Sequence, residues 1–244
     1  MLTYSKQLEG VQTMNIIEKY SPQILDEIVF TNQQDEFFIK QFVAGKHHID
    51  HLLLYGAQGT QKTVTAEIIA REIAGNQNLL LAESLSEFLK RGTAIKDYLS
   101  NTQFFSSATN SFHQRCVLMV NEIDRQAKLD QLWQVMDENK GRLMLIATTN
   151  NLMAVEKSIR SRCTVCNFGI VTHKQFVKRA QHILSSENVV LDDSTVELCL
   201  EKWSPKQYDI RDQLRTLQNM ISLHQENKLS GAIAQLKRSL FTVK

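Results

Sequence analysis

His51-Leu52-Leu53-Leu54-Tyr55-Gly56-Ala57-Gln58-Gly59-Thr60-Gln61-Lys62-Thr63 passes from a short apolar run into a glycine-punctuated turn, and Thr63 to Ala74 continues as an amphipathic helix. The run at 51–55 has the character of a buried strand, and strand, glycine loop and helix in this order open a parallel α/β layout. Consecutive backbone N–H groups at such a turn, reinforced by the helix N-terminus, form an anion cradle. The spacing lets Gly56, Gly59 and Thr60 shape a nucleotide-binding loop, Lys62 reach the β and γ phosphates, and the Thr63 hydroxyl hold Mg²⁺. The pattern G-x-x-x-x-G-K-[ST] is broken at one place. Gln61 occupies the second glycine, where the chain passes so near the phosphates that a side chain must be tucked away.

Outward from this loop the same alternation repeats. Residues 32–43 predict a helix with a Phe37, Ile39, Phe42 stripe; Asn78–Ala82, Cys116–Val120 and Leu143–Thr148 read as strands. Helical stretches are expected near 84–99, 126–138 and 152–160, which makes a mostly parallel sheet covered on both faces. From Thr172 onward every periodic segment is helical, at 173–185, 194–203, 209–224 and 230–240. No Gly/Ser/Pro-rich linker separates the two parts, so a short connection near Gly169–Thr172 implies coupled motion. There is no internal repeat.

Composition narrows the choices. The 244 residues contain 2 Pro, roughly a sixth of the ~5% average usage, which favours helix. Twenty-eight Lys+Arg against 26 Asp+Glu give a net charge of +2, too balanced for a free-standing nucleic-acid binder. DNA contact would have to be local or shared among subunits. No apolar run approaches the ~20 residues a bilayer crossing needs, and the opening MLTYSKQLEG is too polar for a secretory signal, so a cytosolic location without a membrane is expected. Cys163 and Cys166 form a C-x-x-C with no second pair, and the four cysteines read as buried or inert thiols rather than a zinc site. The histidines at 47, 48, 51 and 113 receive no chemistry.

Cys116-Val117-Leu118-Met119-Val120-Asn121-Glu122-Ile123-Asp124 is a buried strand running into acidic residues. At that position ATP-hydrolysing phosphate-loop proteins use an Asp to organise the metal and a Glu to orient or deprotonate water. Here Asn121 replaces the Asp and Glu122 remains. An amide does not neutralise a cation, and the lost charge is worth about several kcal/mol at an effective dielectric near 20. Weaker metal binding and slower hydrolysis follow. A strand that merely ends in polar residues would read the same way. Thr148-Thr149-Asn150 then ends the strand at 143, and Ser161-Arg162-Cys163 comes eleven residues later.

Together with Glu18-Lys19-Tyr20-Ser21-Pro22, Leu25-Asp26-Glu27-Ile28-Val29 and Tyr208-Asp209-Ile210-Arg211, these segments resemble the AAA+ clamp-loader ATPases, especially the repeated small subunit of replication factor C and its phage and archaeal counterparts. The resemblance runs from about residue 15 to the end. It implies an α/β fold, an AAA+ P-loop core with a mostly parallel sheet over residues 1–169, followed by a small all-helical lid domain over 170–244. Tyr20 and Pro22 would border the adenine, with Ser21 where the family usually has Arg. Asn150 would be the first sensor and Arg211 the second, reaching from the lid. Glu122, Asn150 and Arg162 would be the catalytic set, Arg162 as an arginine finger projecting into a neighbour's ATP site. Thr63 and Asn121 would hold Mg²⁺.

The implied function is that of an ATP-binding subunit which, beside other loader subunits, opens a sliding clamp and loads it on primer-template DNA. The departures are one-sided: Gln61, Asn121 and Ser21 concern the chain's own pocket, and Arg162, which serves the neighbour, is intact. Weak or absent turnover in the chain's own site is therefore expected. An ATPase-inactive structural subunit that donates Arg162 is one alternative, and another AAA+ remodeller such as a helicase loader is a second. Lys90, Arg91 and Lys96 are candidates for tracking DNA phosphates or ordinary exposed lysines and arginine; Lys237 and Arg238 read as solvated surface. Trp133, in Leu132-Trp133-Gln134, reads as core or interface rather than a base-stacking platform. Loader subunits of this kind continue past the lid into a helical collar, and the sequence stops at Lys244 where a collar would begin. Without one, oligomers are expected to be weak: either the sequence is a piece of a longer chain, or the assembly relies on nucleotide and DNA for cohesion, or the protein does not form a conventional loader.

Overall fold

The computed structural model describes residues 15–74, 79–82, 115–125, 132–204 and 209–241. The expected helix at 84–99, with Lys90, Arg91 and Lys96, lies outside the described residues, as do His113 and Tyr208. Five parallel strands, β1 (Leu52–Gly56), β2 (Leu79–Ala82), β3 (Cys116–Val120), β4 (Leu143–Thr149) and β5 (Thr164–Phe168), form one sheet in the order β2-β3-β4-β1-β5.

Period-two alternation divides the core between the two faces of this sheet. Leu52, Leu54, Val117, Met119, Met144 and Ile146 face one side, where they pack on helices α2 (Gln33–Val43) and α3 (Lys62–Ala74) through Ile39, Phe42, Ile69 and Ile73. Leu53, Leu118, Val120, Leu145 and Ala147 face the other, against Leu132 and Met136 of α4 (Leu132–Glu138) and Ile159 of the short helix α5 (Lys157–Arg160). A sheet covered on both faces accounts for the unbroken burial of β3 and β4.

A third apolar cluster is wholly helical. It joins α6 (His173–Ser186), α7 (Asp193–Trp203), α8 (Ile210–Gln225) and α9 (Leu229–Phe241) through Phe176, Ile183, Leu200, Leu217 and Met220. Ile16 of the first helix, α1 (Ile16–Lys19), packs into the same cluster, so the N-terminal segment is stitched to the helices that end the chain. The helix starts follow their capping residues: Thr172 and Gln175 form a capping box on α6, and the Asp192 and Asp209 carboxylates accept the first free N–H groups of α7 and α8.

Three expectations need correction. Phe37 is 62% exposed and lies off the buried stripe, because the inward face of α2 is carried by Ile39 and Phe42, three residues apart, with Phe38 and Val43 packed beside them. The helix expected at 152–160 is a 3₁₀ turn, Leu152–Ala154, and a separate α5, interrupted where Val155 turns inward with extended backbone angles. Strand β5 was absent from the expected set. It lies at the edge of the sheet and carries Asn167 and a half-exposed Val165, so its composition lacks the continuous apolar signature of its neighbours.

His51 has a structural task. Its buried ring accepts the backbone N–H of Leu145 on Nδ1 at 3.0 Å, standing in for a strand carbonyl just before β1 begins. Burial pushes its pKa from 6.5 down to about 4. The unfolded chain therefore takes up this proton first, and stability is full above pH 6.5 and lost as pH falls toward 4, by about 3 kcal/mol in total. Urea midpoints are expected to fall across that window, and His51→Asn, which keeps an acceptor, is expected to flatten the slope. An unaltered slope in the variant contradicts this role.

Burial also pushes the thiols of Cys116, Cys163 and Cys166 up to about 12 and that of Cys199 to about 11, which keeps them protonated at neutral pH. Among the described residues no helix is long and apolar enough to cross a membrane.

Candidate nucleotide site

The loop between β1 and α3 sits at the carboxyl ends of the strands, where open α/β sheets bind ligands. Two glycines are required there by contact as well as by torsion. A Cβ at Gly56 would lie 2.0 Å from the carbonyl oxygen of Phe168 at the end of β5; one at Gly59, where φ is +79°, would lie 2.4 Å from the Asp209 carboxylate. Asp209 caps α8, and the N–H of Ile210 donates to the Gly59 carbonyl at 3.2 Å. The loop after β1 and the start of α8 are thus joined by a direct backbone hydrogen bond.

Gln61 adopts φ +66°, the left-handed conformation that the glycine pattern anticipates. Its side chain is tucked away from the loop: Oε1 accepts the backbone N–H of Val29 at 3.2 Å. The strain of a non-glycine residue in this region, about 1–2 kcal/mol, is offset in part by that hydrogen bond. Gln61→Gly is accordingly expected to change stability by less than about 1 kcal/mol, and Gln61→Val to destabilise by about 2 kcal/mol, since a β-branched residue keeps the strain and loses the acceptor. Chemical denaturation measures both; equal losses in the two variants would contradict the torsional argument.

Lys62 is buried, and burial lowers its pKa. Its Nζ donates to the carbonyls of Gly56 at 3.0 Å and Ala57 at 2.6 Å, while the Thr60 hydroxyl donates to Ala57 at 2.9 Å. Thr63, Glu122, Thr148, Asn150 and Arg211 line the same cleft, with Ile17, Ile210 and Leu214 supplying an apolar wall. Five elements, α1, the loop, the ends of β3 and β4, and α8, therefore converge on one concavity. Lys62 and Arg211 bring positive charge to it, as a polyphosphate requires.

The acidic strand end is arranged differently from expectation. Asn121 is not among the residues lining the cleft; its Oδ1 accepts the Thr148 hydroxyl at 3.1 Å, and Thr148 Oγ1 in turn accepts the Glu122 N–H at 3.2 Å. Glu122, at φ +49°, turns its carboxylate to Arg125, whose Nη1 donates to Oε2 at 2.7 Å. Asp124 accepts the Thr149 hydroxyl at 2.6 Å. Lys62, Thr63, Asn150 and Arg211 form a donor set suited to a nucleotide's phosphates, and of the expected metal pair Thr63 lines the cleft while Asn121 has its Oδ1 engaged by Thr148.

Tyr20 and Pro22 also stand outside the lining, which takes Ile17 from their segment. The Tyr20 hydroxyl donates to Glu187 at 2.5 Å, and its carbonyl accepts Arg179 at 3.2 Å, so this residue clamps the N-terminal segment to α6. Thr148 belongs to the polar strand tip Thr148-Thr149-Asn150 singled out in the sequence, whereas Arg125 was not anticipated. Arg125 was legible as an i, i+3 partner of Glu122.

Arg162 lies away from this cleft. It precedes β5, whose Thr164 is level with Leu52, so about 13 Å of strand separates it from the loop after Gly56. The guanidinium forms a two-point pair with Asp137, Nε to Oδ1 at 2.8 Å and Nη2 to Oδ2 at 2.7 Å, while Nη1 donates to the Ser158 carbonyl at 2.8 Å. It rests over the Trp133 ring, 5.2 Å from the centroid, with 29% of the side chain exposed. The pair raises the pKa of Arg162 and lowers that of Asp137.

Comparison with known proteins agrees with this architecture. Residues 52–168 match the ATPase family associated with various cellular activities (AAA). The chain is 26% identical over 196 residues to the sliding-clamp-loader large subunit of Enterobacteria phage T4, covering 76% of this chain and 58% of that protein. It is 29% identical over 214 residues to the replication factor C small subunit of Thermofilum pendens, covering 83% and 61%. Among solved structures, Thermotoga maritima RuvB, a Holliday junction branch migration motor, superposes with a TM-score of 0.63 at 20% identity over 91% of this chain and 73% of that one. That likeness concerns the fold alone. The first two relatives are matched over less than two thirds of their own length. Residues 52–168 are thus an AAA domain, in a chain homologous to sliding-clamp-loader and replication factor C subunits.

Proposed function

We propose that this chain is a clamp-loader subunit that binds ATP in its own cleft, turns it over poorly, and completes the site of a neighbouring subunit with Arg162. The observation that carries the first half is the convergence of Lys62, Thr63, Asn150 and Arg211 on one cleft closed by the Gly59–Ile210 hydrogen bond. Lys62 would exchange its loop carbonyls for phosphate oxygens, Asn150 and Arg211 would contact the terminal phosphate, and the apolar wall would take the base. Glu122 would orient water only after leaving Arg125. A division into a core at 1–169 and a lid at 170–244 would let nucleotide occupancy tilt α8 through the Asp209–Gly59 contact.

The second half rests on position and chemistry. Arg162 is remote from the chain's own loop, retains surface exposure, and is presented rigidly by Asp137 and Trp133. A guanidinium delivered in trans stabilises charge on a transferring phosphoryl group and makes hydrolysis depend on correct packing of subunits. In such an assembly, with other loader subunits around primer-template DNA, ATP acts as a cohesive element between neighbours, and the site of action is wherever DNA is replicated. The pairing of Glu122 with Arg125 favours the variant of this reading in which the chain's own cleft is structural. Copurification tests the assignment: ATP-dependent retention of a ring-shaped clamp by the assembled subunits is expected, and retention of no clamp with or without ATP contradicts it.

A further inference from the structure

The charges around the cleft do not describe an ordinary metal-assisted nucleotide site. A triphosphate brings several negative charges, and a protein that offers a carboxylate at the end of the acidic strand depends on a divalent cation to keep that carboxylate and the phosphates from repelling each other. Here that strand-end position is an amide, and Asn121 Oδ1 is engaged by Thr148. The carboxylate that does line the cleft, Glu122, is paired with Arg125 at 2.7 Å. Among the residues lining the cleft the carboxylate of Glu122 is thus offset by Arg125, Asp124 stands behind the lining with its carboxylate on the Thr149 hydroxyl, and Lys62 and Arg211 bring positive charge to the cleft.

We infer that this cleft binds nucleoside polyphosphate largely independently of divalent cations, with Arg125 replacing the metal as the charge that offsets Glu122. The inference rests on the reading of the cleft as a nucleotide site. Arg125 acts through Glu122 and is a positioning residue. Its side chain is 67% exposed, so removing it leaves the core untouched. Being so exposed, the pair gives little stability of its own, and its effect is electrostatic and local. It also predicts that salt, which screens exposed pairs, weakens metal-free binding more than metal-bound binding.

Equilibrium titration of the full chain with a fluorescent ATP analogue, in excess Mg²⁺ and in excess EDTA, reads this directly. The affinities in the two conditions are expected to agree within about threefold. Asn121→Asp restores a charge that needs a counter-ion, and is expected to bind at least tenfold more tightly with Mg²⁺ than with EDTA. Arg125→Ala is expected to lose about tenfold in EDTA and much less in Mg²⁺, with Arg125→Lys recovering most of that loss. A tenfold or larger drop of the unaltered protein in EDTA overturns the inference and leaves the nucleotide reading standing. Failure to bind in either condition, by protein whose thermal unfolding is cooperative, overturns both.

Discussion

Lys62→Ala is expected to lower the affinity of the chain for ATP about 100-fold, equivalent to about 2.7 kcal/mol. Lys62 is the buried cation of the cleft, and its ammonium is already held among oxygen acceptors, the carbonyls of Gly56 and Ala57, at hydrogen-bonding distance. Burial lowers its pKa, which marks an ammonium that gains from exchanging two neutral carbonyls for a charged phosphate. If the cleft relies on its own cations rather than on a metal, the loss is as large in EDTA as in Mg²⁺. Titration of the variant beside a thermal melt separates lost affinity from lost fold. An affinity within threefold of the unaltered protein contradicts the assignment of this loop as the phosphate site.

Arg162→Ala is expected to leave that affinity unchanged and to slow hydrolysis at an adjoining subunit about 10³-fold, near 4 kcal/mol in barrier height. The two effects separate because about 13 Å of β-strand lies between Arg162 and the chain's own loop. The Trp133 ring beneath holds the guanidinium plane in one orientation, which reduces the side-chain entropy lost when it meets a phosphate. Arg162→Lys keeps the charge but loses the fork geometry, and is expected to recover little. Because Asp137 competes with any phosphate for the same N–H groups, Asp137→Asn is expected to leave turnover at the neighbour unchanged or modestly higher.

Much of the fold was legible because period and punctuation agree there. The run at 52–56, the left-handed turn at Gly59 and the apolar stripe of α3 each specify the same unit, and of the helices after Thr172 α6, α7 and α8 carry both periodicity and capping residues. Strand β5 escaped because an edge strand with one solvated face lacks a continuous apolar run. In the cleft, residue type and spacing nominated Lys62, Thr63, Glu122 and the polar tip with Asn150, the family resemblance nominated Arg211, and all five line one concavity. What spacing could not supply was orientation. Gln61 reads as damage to the loop, yet it takes up the left-handed conformation and its amide oxygen accepts the Val29 N–H. Asn121 sits at the metal position in sequence and turns to Thr148, and Asp137 meets Arg162 only because α4 and the turn before β5 pack on the same face of the sheet.

The most direct measurement is the rate of phosphate release from a hydrolysis-competent loader subunit assembled on primed DNA beside this chain, in unaltered, Arg162→Ala and Asp137→Ala forms. A fall of about 10³-fold with Arg162→Ala, and a rate within about threefold of the unaltered assembly with Asp137→Ala, is the predicted result. Equal rates in all three, or equal losses in both variants, would show the Asp137–Arg162 pair to be a local brace and contradict a role for Arg162 in the neighbour's site.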